Sequence, residues 1–392
     1  MKKKTTTFTE LVVKGLMLFS IFTVLQGLEI FDSINRIWLV VVSVALLSRL
    51  ITYRYTVKQF LVLLVTVVLH VIAVHYTDFP LYNTNMLFYF MLWVLLYLYF
   101  AKSKDKIMQV LSSSGGYITC LLWIWTLLVG VSAFIPSCYS DEGNFFSFAG
   151  TSFRLMPAAL IVTALAMYMI VSRNDRRYYF FMLAPCYAAL MNQSRTYFGV
   201  YVLFLTMFLY MRMKSRKKFY LMLIPFSVVV LMATLNGSIM DKFTEVWRTG
   251  VSVEEFLGAF TNARTIFWVW DLVAFFDLPV WQQFVGNGFD FAYEVTAQYG
   301  DAIWAHNDVI SMLMNFGYIG TVIYTWAYFQ LINAFWPKGS RVPRMVRFLF
   351  HSAVFLNSMM NMSYTYFCAV IAYPLFLCLT RVCYDETRRV RK

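Results

Sequence analysis

Long blocks of apolar residues, separated by short polar gaps, run along most of the chain. A block of about 18 or more such residues is long enough to cross a hydrocarbon core ~30 Å thick as a helix. The pattern therefore predicts an all-α polytopic membrane protein with about twelve transmembrane helices. The predicted spans cover approximately 10-28, 37-53, 59-75, 84-101, 117-136, 153-172, 178-193, 196-213, 219-236, 308-334, 347-362 and 363-383.

Composition supports this class. Hydrophobic residues make up 60% of the chain and charged residues 14%, and the mean hydropathy is +0.63, a balance that excludes soluble α/β classes. The net charge of +13 is compatible with nucleic-acid binding, but the positions of the basic residues give it another origin. They cluster in alternate gaps between the apolar blocks: Lys2 to Lys4, Arg49/Arg54/Lys58, Lys102/Lys104/Lys106, Arg173/Arg176/Arg177, Arg212 to Lys218, Lys338 to Arg347, and Arg381 to Lys392.

The remaining gaps carry acidic residues instead. This alternation is the positive-inside pattern of membrane proteins, and it predicts that both termini are cytoplasmic. The bilayer then accounts for the basic charge, and no nucleic-acid partner is expected. The acidic residues of these gaps are Glu29, Asp32, Asp78, Asp141, Glu142 and those from Asp241 through Asp308.

One connection is much longer than the others. Residues 236-307 form a predicted extracytoplasmic loop before the tenth span, inserted in a single transmembrane domain that covers 1-392. Long loops are commonly functional. The loop contains two predicted helices: an amphipathic one around Ile239 to Trp247 and a second from Asn262 to Asp277. Gly286-Asn287-Gly288 then predicts a turn.

Two arginines stand out because the extracytoplasmic gaps hold few basic residues. Arg195 lies in the tight turn between spans seven and eight, where the simplest interpretation is an arginine that anchors a helix end. Arg264 starts the second loop helix, where it is either an exposed charge or a partner of Asp271. The functional interpretation of both is phosphate binding, because a guanidinium stays charged and donates two parallel hydrogen bonds.

His306 stands where the large loop re-enters the membrane, beside Asn307 and Asp308. Histidine exchanges a proton near neutral pH, as a general acid or base must, although a histidine at a helix start also serves as a cap. Asp290 and Glu294 are candidate paired carboxylates, with ordinary loop charge as the simpler interpretation. His70, His75 and His351 fall in or at the ends of spans, where a packing role is expected.

The sequence lacks the common catalytic motifs. It contains no Walker-type phosphate loop, no Gly-x-Ser-x-Gly and no His-Glu-x-x-His. The six cysteines have no metal-ligand spacing, and His306 and Asp308 lack an obvious third ligand. Neither a metal nor a cofactor is predicted.

Several short motifs follow one another along the chain: Ser194-Arg195-Thr196, Arg264 with Trp268, Gly286-Asn287-Gly288, His306-Asn307, and Gly317-Tyr318-Ile319-Gly320. Together they resemble the O-antigen ligase and O-antigen or capsular polysaccharide polymerase family of bacterial envelope glycosyltransferases. The resemblance rests on their order, their predicted place on the outer face and the twelve-span frame, and it covers roughly Tyr178 to Tyr324. The N-terminal half is similar in topology alone.

The resemblance implies a donor oligosaccharide on undecaprenyl pyrophosphate and a reaction that needs no metal. Arg195 and Arg264 would bind the pyrophosphate and stabilise it as it leaves, and His306 would activate the acceptor hydroxyl as general base. Asn307 and Trp268 become candidate substrate-binding residues. The alternatives for the base are Asp290, Glu294 and Asp308.

The expected function is polymerisation of lipid-linked repeat units into O-antigen, capsule or exopolysaccharide at the outer face of the bacterial cytoplasmic membrane. The nearest alternative is an O-antigen ligase, which transfers the finished glycan to lipid A core or another acceptor. A flippase is the alternative from another class, although the sequence lacks the internal repeats usual in transporters. A purely structural scaffold would leave the three site residues replaceable. Expected partners are the lipid-linked donor, the glycan acceptor, a chain-length regulator and a flippase.

Overall fold

The computed structural model describes residues 8–77, 86–141, 143–192, 194–213, 215–235, 264–300 and 303–385. Within these ranges the chain is helical and contains no β-strand, which confirms the all-α class. The helices are α1 (Phe8–Val24), α2 (Glu29–Ile51), α3 (Val57–His75), α4 (Met86–Ser113), α5 (Gly115–Ser132), α6 (Ser152–Arg173), α7 (Leu183–Met191), α8 (Arg195–Arg212), α9 (Arg216–Leu235), α10 (Arg264–Asp277), α11 (Val280–Val285), α12 (Phe291–Ala297), α13 (Asp308–Phe335), α14 (Arg344–Met360) and α15 (Phe367–Asp385).

Among the described residues, six helices are long and apolar enough to cross a membrane: α2, α3, α5, α6, α13 and α15. This confirms the prediction of several membrane-spanning helices, and the full count of twelve stays a prediction. The predicted span 178-193 is not one continuous α-helix. A 3-10 helix over Arg176–Met182 precedes the short α7. A 3-10 helix rises about 2.0 Å per residue and an α-helix about 1.5 Å, so the summed lengths of the two pieces come to about 28 Å.

The centre of the bundle is formed by α6 packed against α15. Nearly every side chain of both helices is buried, and small residues in α6 such as Ala159 and Ala166 let the helix axes approach closely. In contrast, α2 and α3 expose apolar side chains such as Val44 and Val68 along most of their length. Such side chains are suited to lipid, so these two helices lie at the periphery.

Contacts between connections define two ends of the bundle. At the first end, the amide of Gly27 donates a hydrogen bond to the carbonyl of Phe148 over 2.8 Å. Helices α1, α3 and α14 end here, and helices α2, α6, α8, α13 and α15 begin here. We call this the His306 end. At the opposite end, which we call the Lys104 end, Lys104 Nζ donates to the carbonyl of Ala334 over 2.9 Å. Among the described connections, those with Glu29, Asp32 and Asp141 lie at the His306 end, and those with Arg49 and Arg54, Arg173 and Arg176, and Lys338 to Arg344 lie at the Lys104 end.

The described part of the large loop covers α10, α11 and α12. Helix α10 corresponds to the second predicted loop helix, whose expected start at Asn262 lies outside the described residues. The predicted amphipathic helix around Ile239 to Trp247 also lies outside them. As predicted, Gly286-Asn287-Gly288 forms the turn between α11 and α12. A Cβ on Gly288 would lie 2.8 Å from the backbone of Tyr76, so this turn packs directly on the end of α3.

The predicted span 308-334 is interrupted by a kink at Gly317, where φ is 63° and ψ is −163°. Gly286, with φ 85° and ψ 180°, has a similar backbone conformation, one that glycine alone adopts readily. The two glycines bring α11 against α13: a Cβ on Gly286 would lie 2.3 Å from the backbone of Asn315. The Met314 carbonyl, which the kink frees, accepts a hydrogen bond from the Asn287 amide over 2.9 Å. The kink therefore anchors the loop to the membrane helices.

Candidate functional site

Arg264 and His306 lie close together at the His306 end. The guanidinium of Arg264, in the first turn of α10, donates a hydrogen bond to the carbonyl of Met360 at the end of α14. Burial lowers the pKa of Arg264 below its ordinary value, and the nearby positive charge of Arg195 lowers it further. Arg195 starts α8, which packs along α14. The starts of α8, α10 and α13 are distant in sequence. They thus bring Arg195, Arg264 and His306 to the same end of the bundle.

The imidazole of His306 is held in an unusual backbone conformation. Its φ is +48°, in the left-handed region that residues with a Cβ seldom adopt. The ring stacks on Phe153 with 6.0 Å between centroids, and Nδ1 has no hydrogen-bond partner among the described residues. Burial lowers the pKa of His306 to about 4, and the charge of Arg264 contributes to this shift. At neutral pH the ring is therefore uncharged and able to accept a proton.

Hydrogen bonds of Trp268 and Asn307 fix the chain on both sides of His306. Trp268 Nε1 donates to the carbonyl of Ala305 over 2.6 Å, which ties α10 to the segment before α13. The Asn307 side chain caps α13, because its Oδ1 accepts from the amides of Val309 and Ile310 over 2.9 and 3.1 Å. Asn307 is also buried. Its role here is to position His306, and it is Asn307, not His306, that serves as the helix cap.

A cavity of about 190 Å³ opens beside His306. Phe153 and Tyr366, whose rings are parallel with centroids 5.8 Å apart, form part of its wall. Arg154 also lines it, and its guanidinium lies 3.9 Å from the carboxylate of Asp32. Arg195 and Arg264 are not among the lining residues. His306 thus lines the cavity, while Arg264, whose charge acts on His306, does not.

Arg154 was not predicted as a site residue. It is one of the few basic residues in the acidic gaps, the same signal that singled out Arg195 and Arg264. The residues next to Arg154 in the sequence gave no further sign of a functional site. Its place in the cavity depends on the packing of Phe153 against His306, a contact between distant parts of the chain.

The alternative bases have other surroundings. Asp308 is fully buried, and its carboxylate accepts hydrogen bonds from the hydroxyls of Tyr324 and Ser363 and the amide of Tyr364. Asp290 and Glu294 lie at the start of α12, and neither lines the cavity next to His306. Of the four candidate bases, His306 is therefore the one that lines the cavity.

Asp271 does not pair with Arg264 in the described part of the chain. Its side chain is 0% exposed and has no hydrogen-bond partner among the described residues. Burial raises its pKa to about 7. The residues Arg264, Trp268 and Asp271 nevertheless share one face of α10, and that face packs against the protein.

No family model matches the chain, and no curated protein is significantly similar to it. The family resemblance consequently rests on the short motifs around Arg195, Arg264 and His306.

Proposed function

We propose that the protein is a membrane glycosyltransferase that joins undecaprenyl-pyrophosphate-linked oligosaccharide repeat units into a surface polysaccharide. The observation that carries the proposal is the convergence of Arg195, Arg264 and His306 at one end of the helical bundle. A lipid-linked donor cannot leave the bilayer, so its enzyme must bring cationic groups to the membrane interface. Cations are scarce in the predicted acidic gaps, yet Arg264 lies near the uncharged imidazole of His306, and Arg195 lies near Arg264.

Arg264 and Arg195 suit a diphosphate ligand. Both keep a positive charge at any physiological pH, and a guanidinium binds phosphate oxygens through paired hydrogen bonds. Arg264 is partly buried, and a charge acts more strongly on a neighbouring anion where water is scarce. The pair is therefore able to stabilise the negative charge that develops on a departing diphosphate.

In the proposed reaction the acceptor hydroxyl oxygen attacks the anomeric carbon of the donor sugar. The new glycosidic C–O bond forms as the bond between that carbon and the pyrophosphate oxygen breaks. The hydroxyl proton passes to His306, and the diphosphate leaves on its lipid with the electron pair of the broken bond. Charge stabilisation comes from Arg195 and Arg264, so the mechanism requires no metal ion and no cofactor.

The low pKa of His306 fits this cycle. Without substrate, burial and, to a smaller extent, the charge of Arg264 disfavour the imidazolium. A bound diphosphate would neutralise that charge, so donor binding would raise the pKa of His306 and make it a stronger base. The base would then gain strength when the donor is in place.

The cavity beside His306 provides room for a sugar. Aromatic rings such as Phe153 and Tyr366 present flat apolar surfaces to a pyranose, and Arg154 offers hydrogen-bond donors. In this arrangement the acceptor hydroxyl approaches His306 from the cavity while the diphosphate lies toward Arg264.

The proposal places this end at the outer face of the bacterial cytoplasmic membrane, with both termini in the cytoplasm. A chain-length regulator and a flippase are its expected protein partners. Transfer of a finished glycan to lipid A core, as an O-antigen ligase performs it, would use the same three residues and the same donor. Polymerase and ligase differ in their acceptor.

A deletion strain complemented with variants tests the function. Arg264→Gln and His306→Ala should abolish long glycan chains on electrophoresis while the protein remains in the membrane at normal abundance. Loss of a general base or of a charge-stabilising group typically lowers the rate by about 10²–10⁴-fold. Single repeat units on the acceptor indicate a lost polymerase, and full-length chains on the carrier indicate a lost ligase.

Matched controls are His75→Ala, which removes an exposed imidazole at the same end, and Arg177→Gln, which removes an exposed guanidinium at the Lys104 end. Both should keep wild-type chain lengths. Wild-type chain lengths in His306→Ala would refute the assigned site.

A further inference from the structure

The Lys104 end contains a second polar cavity, separate from the site around His306. It has a volume of about 200 Å³, enough for several water molecules of ~30 Å³ each. Its walls come from three separate parts of the chain: α4, the connection between α13 and α14, and the end of α15. The residues that matter here are Lys104, Arg341 and Arg381, with Ser340, Phe335 and Tyr384.

Two of the three cations have no acidic partner among the described residues. Arg381 forms an ion pair with Asp105 over 2.8 Å. Lys104 donates to the carbonyl of Ala334, and neither Lys104 nor Arg341 has an acidic partner among the described residues. A cavity with this surplus of donors and positive charge suits an anion with several acceptor oxygens, such as a phosphate.

The connection that carries Arg341 is well fixed. Trp336 Nε1 donates to Thr380 Oγ1 over 2.9 Å, and the guanidinium of Arg347 donates to the carbonyl of Ser340 over 3.1 Å. The Arg347 guanidinium also lies over the Trp336 ring, 5.9 Å from its centroid. These contacts join the connection to α14 and α15, so the cavity is preformed.

The cavity also lies at the depth of a lipid head group. Lys104 is 18 residues beyond Met86, the first residue of α4, which corresponds to about 27 Å along the helix. That distance approaches the ~30 Å thickness of a hydrocarbon core, so the cavity opens near the opposite membrane interface. Phe335 and Tyr384 give it apolar wall next to the cations, as a molecule with both a phosphate and acyl chains requires.

We propose that this cavity binds the phosphate of an anionic phospholipid from the adjacent leaflet, which is the cytoplasmic leaflet in the predicted orientation. Basic pockets between membrane helices recognise lipid head groups in this way. The proposal is independent of the glycosyltransferase function.

Native mass spectrometry of the purified full-length protein with added phosphatidylglycerol or phosphatidylcholine of equal acyl chains tests it. Phosphatidylglycerol should be retained and phosphatidylcholine should not. Arg341→Gln should weaken phosphatidylglycerol binding about fivefold, since one cation is removed at the membrane surface. Arg341→Lys should keep most of the binding. Lys338→Gln, an exposed neighbour that does not line the cavity, should have no effect.

A separate measurement distinguishes a lipid from a soluble phosphate. Phosphatidylglycerol should raise the Tm of the wild-type protein, and inorganic phosphate at millimolar concentration should not. An equal rise with inorganic phosphate would identify a soluble anion and overturn the proposal. Equal retention of the two lipids, or equal loss of binding in Arg341→Gln and Lys338→Gln, would overturn it as well.

Discussion

His306 is held by its neighbours in a conformation that it would not adopt alone. A left-handed backbone costs a residue with a Cβ about 1–2 kcal/mol. The hydrogen bond from Trp268 to Ala305 and the Asn307 cap fix the chain on both sides and offset this cost. Strain that is held in this way is typical of functional positions. The position of His306 before the tenth span could be predicted from the sequence, but its backbone angle depends on α10, which packs there through tertiary contacts.

The pKa of His306 should depend on Arg264. Burial is the larger cause of the low pKa and the guanidinium adds to it, so Arg264→Gln should raise the midpoint of His306 above about 4 but leave it below the ordinary value of 6.5. Arg264→Lys keeps the charge and should leave the midpoint low. NMR titration of protein labelled with ¹⁵N-histidine in detergent micelles measures this, with His306→Ala used to assign the signal. An identical midpoint in wild type and Arg264→Gln would rule out the electrostatic coupling.

At the scale of elements, apolar blocks predicted most helices well, including α10 within the loop. The blocks could not predict the kink in α13, because the apolar pattern continues without a break on both sides of Gly317. At the kink, the backbone of α13 packs against the end of α11 and against Gly286, which follows it. These residues are distant from Gly317 in sequence. The 3-10 turn over Arg176–Met182 was missed for a related reason: its composition also suits an α-helix.

Gly317→Ala should destabilise the protein. The backbone angles of Gly317 cost other residues about 1–3 kcal/mol, and a Cβ there would lie 2.4 Å from the backbone of Phe284. The Tm in detergent should fall by several degrees. Gly130→Ala is the matched control, because Gly130 lies in helix α5 with nothing within 4 Å of the added Cβ. Its Tm should stay the same or rise slightly. Equal Tm values for the two variants would mean that the packing of α11 on α13 contributes little.

At the scale of the whole molecule, the alternation of acidic and basic gaps predicts which connections share a side of the membrane, and this sidedness stays a prediction. Hydrophobicity did not predict which helices occupy the centre. Helix α3 at the periphery is at least as apolar as the buried α6. Lipid and protein interior are both apolar surroundings, so the distinction depends on features such as the small residues of α6. Arg154 was missed for the same reason: helix packing cannot be predicted from hydrophobicity, and the role of Arg154 follows from how α6 packs beside the loop.

The same end of the molecule joins the membrane helices, the described part of the loop and the residues Arg195, Arg264 and His306. If these residues form the active site, the purified protein alone, supplied with lipid-linked donor, must perform the glycosyl transfer. Loss of long chains in cells does not establish this, because a flippase defect also removes them.

The most direct test is reconstitution of the purified protein in vesicles with the lipid-linked single repeat units isolated from a deletion strain. Wild-type protein and His75→Ala should convert them into a ladder of longer glycans still attached to the carrier, and His306→Ala should leave single units. A wild-type protein that forms no ladder, or a His306→Ala protein that forms the same ladder as wild type, would contradict the account.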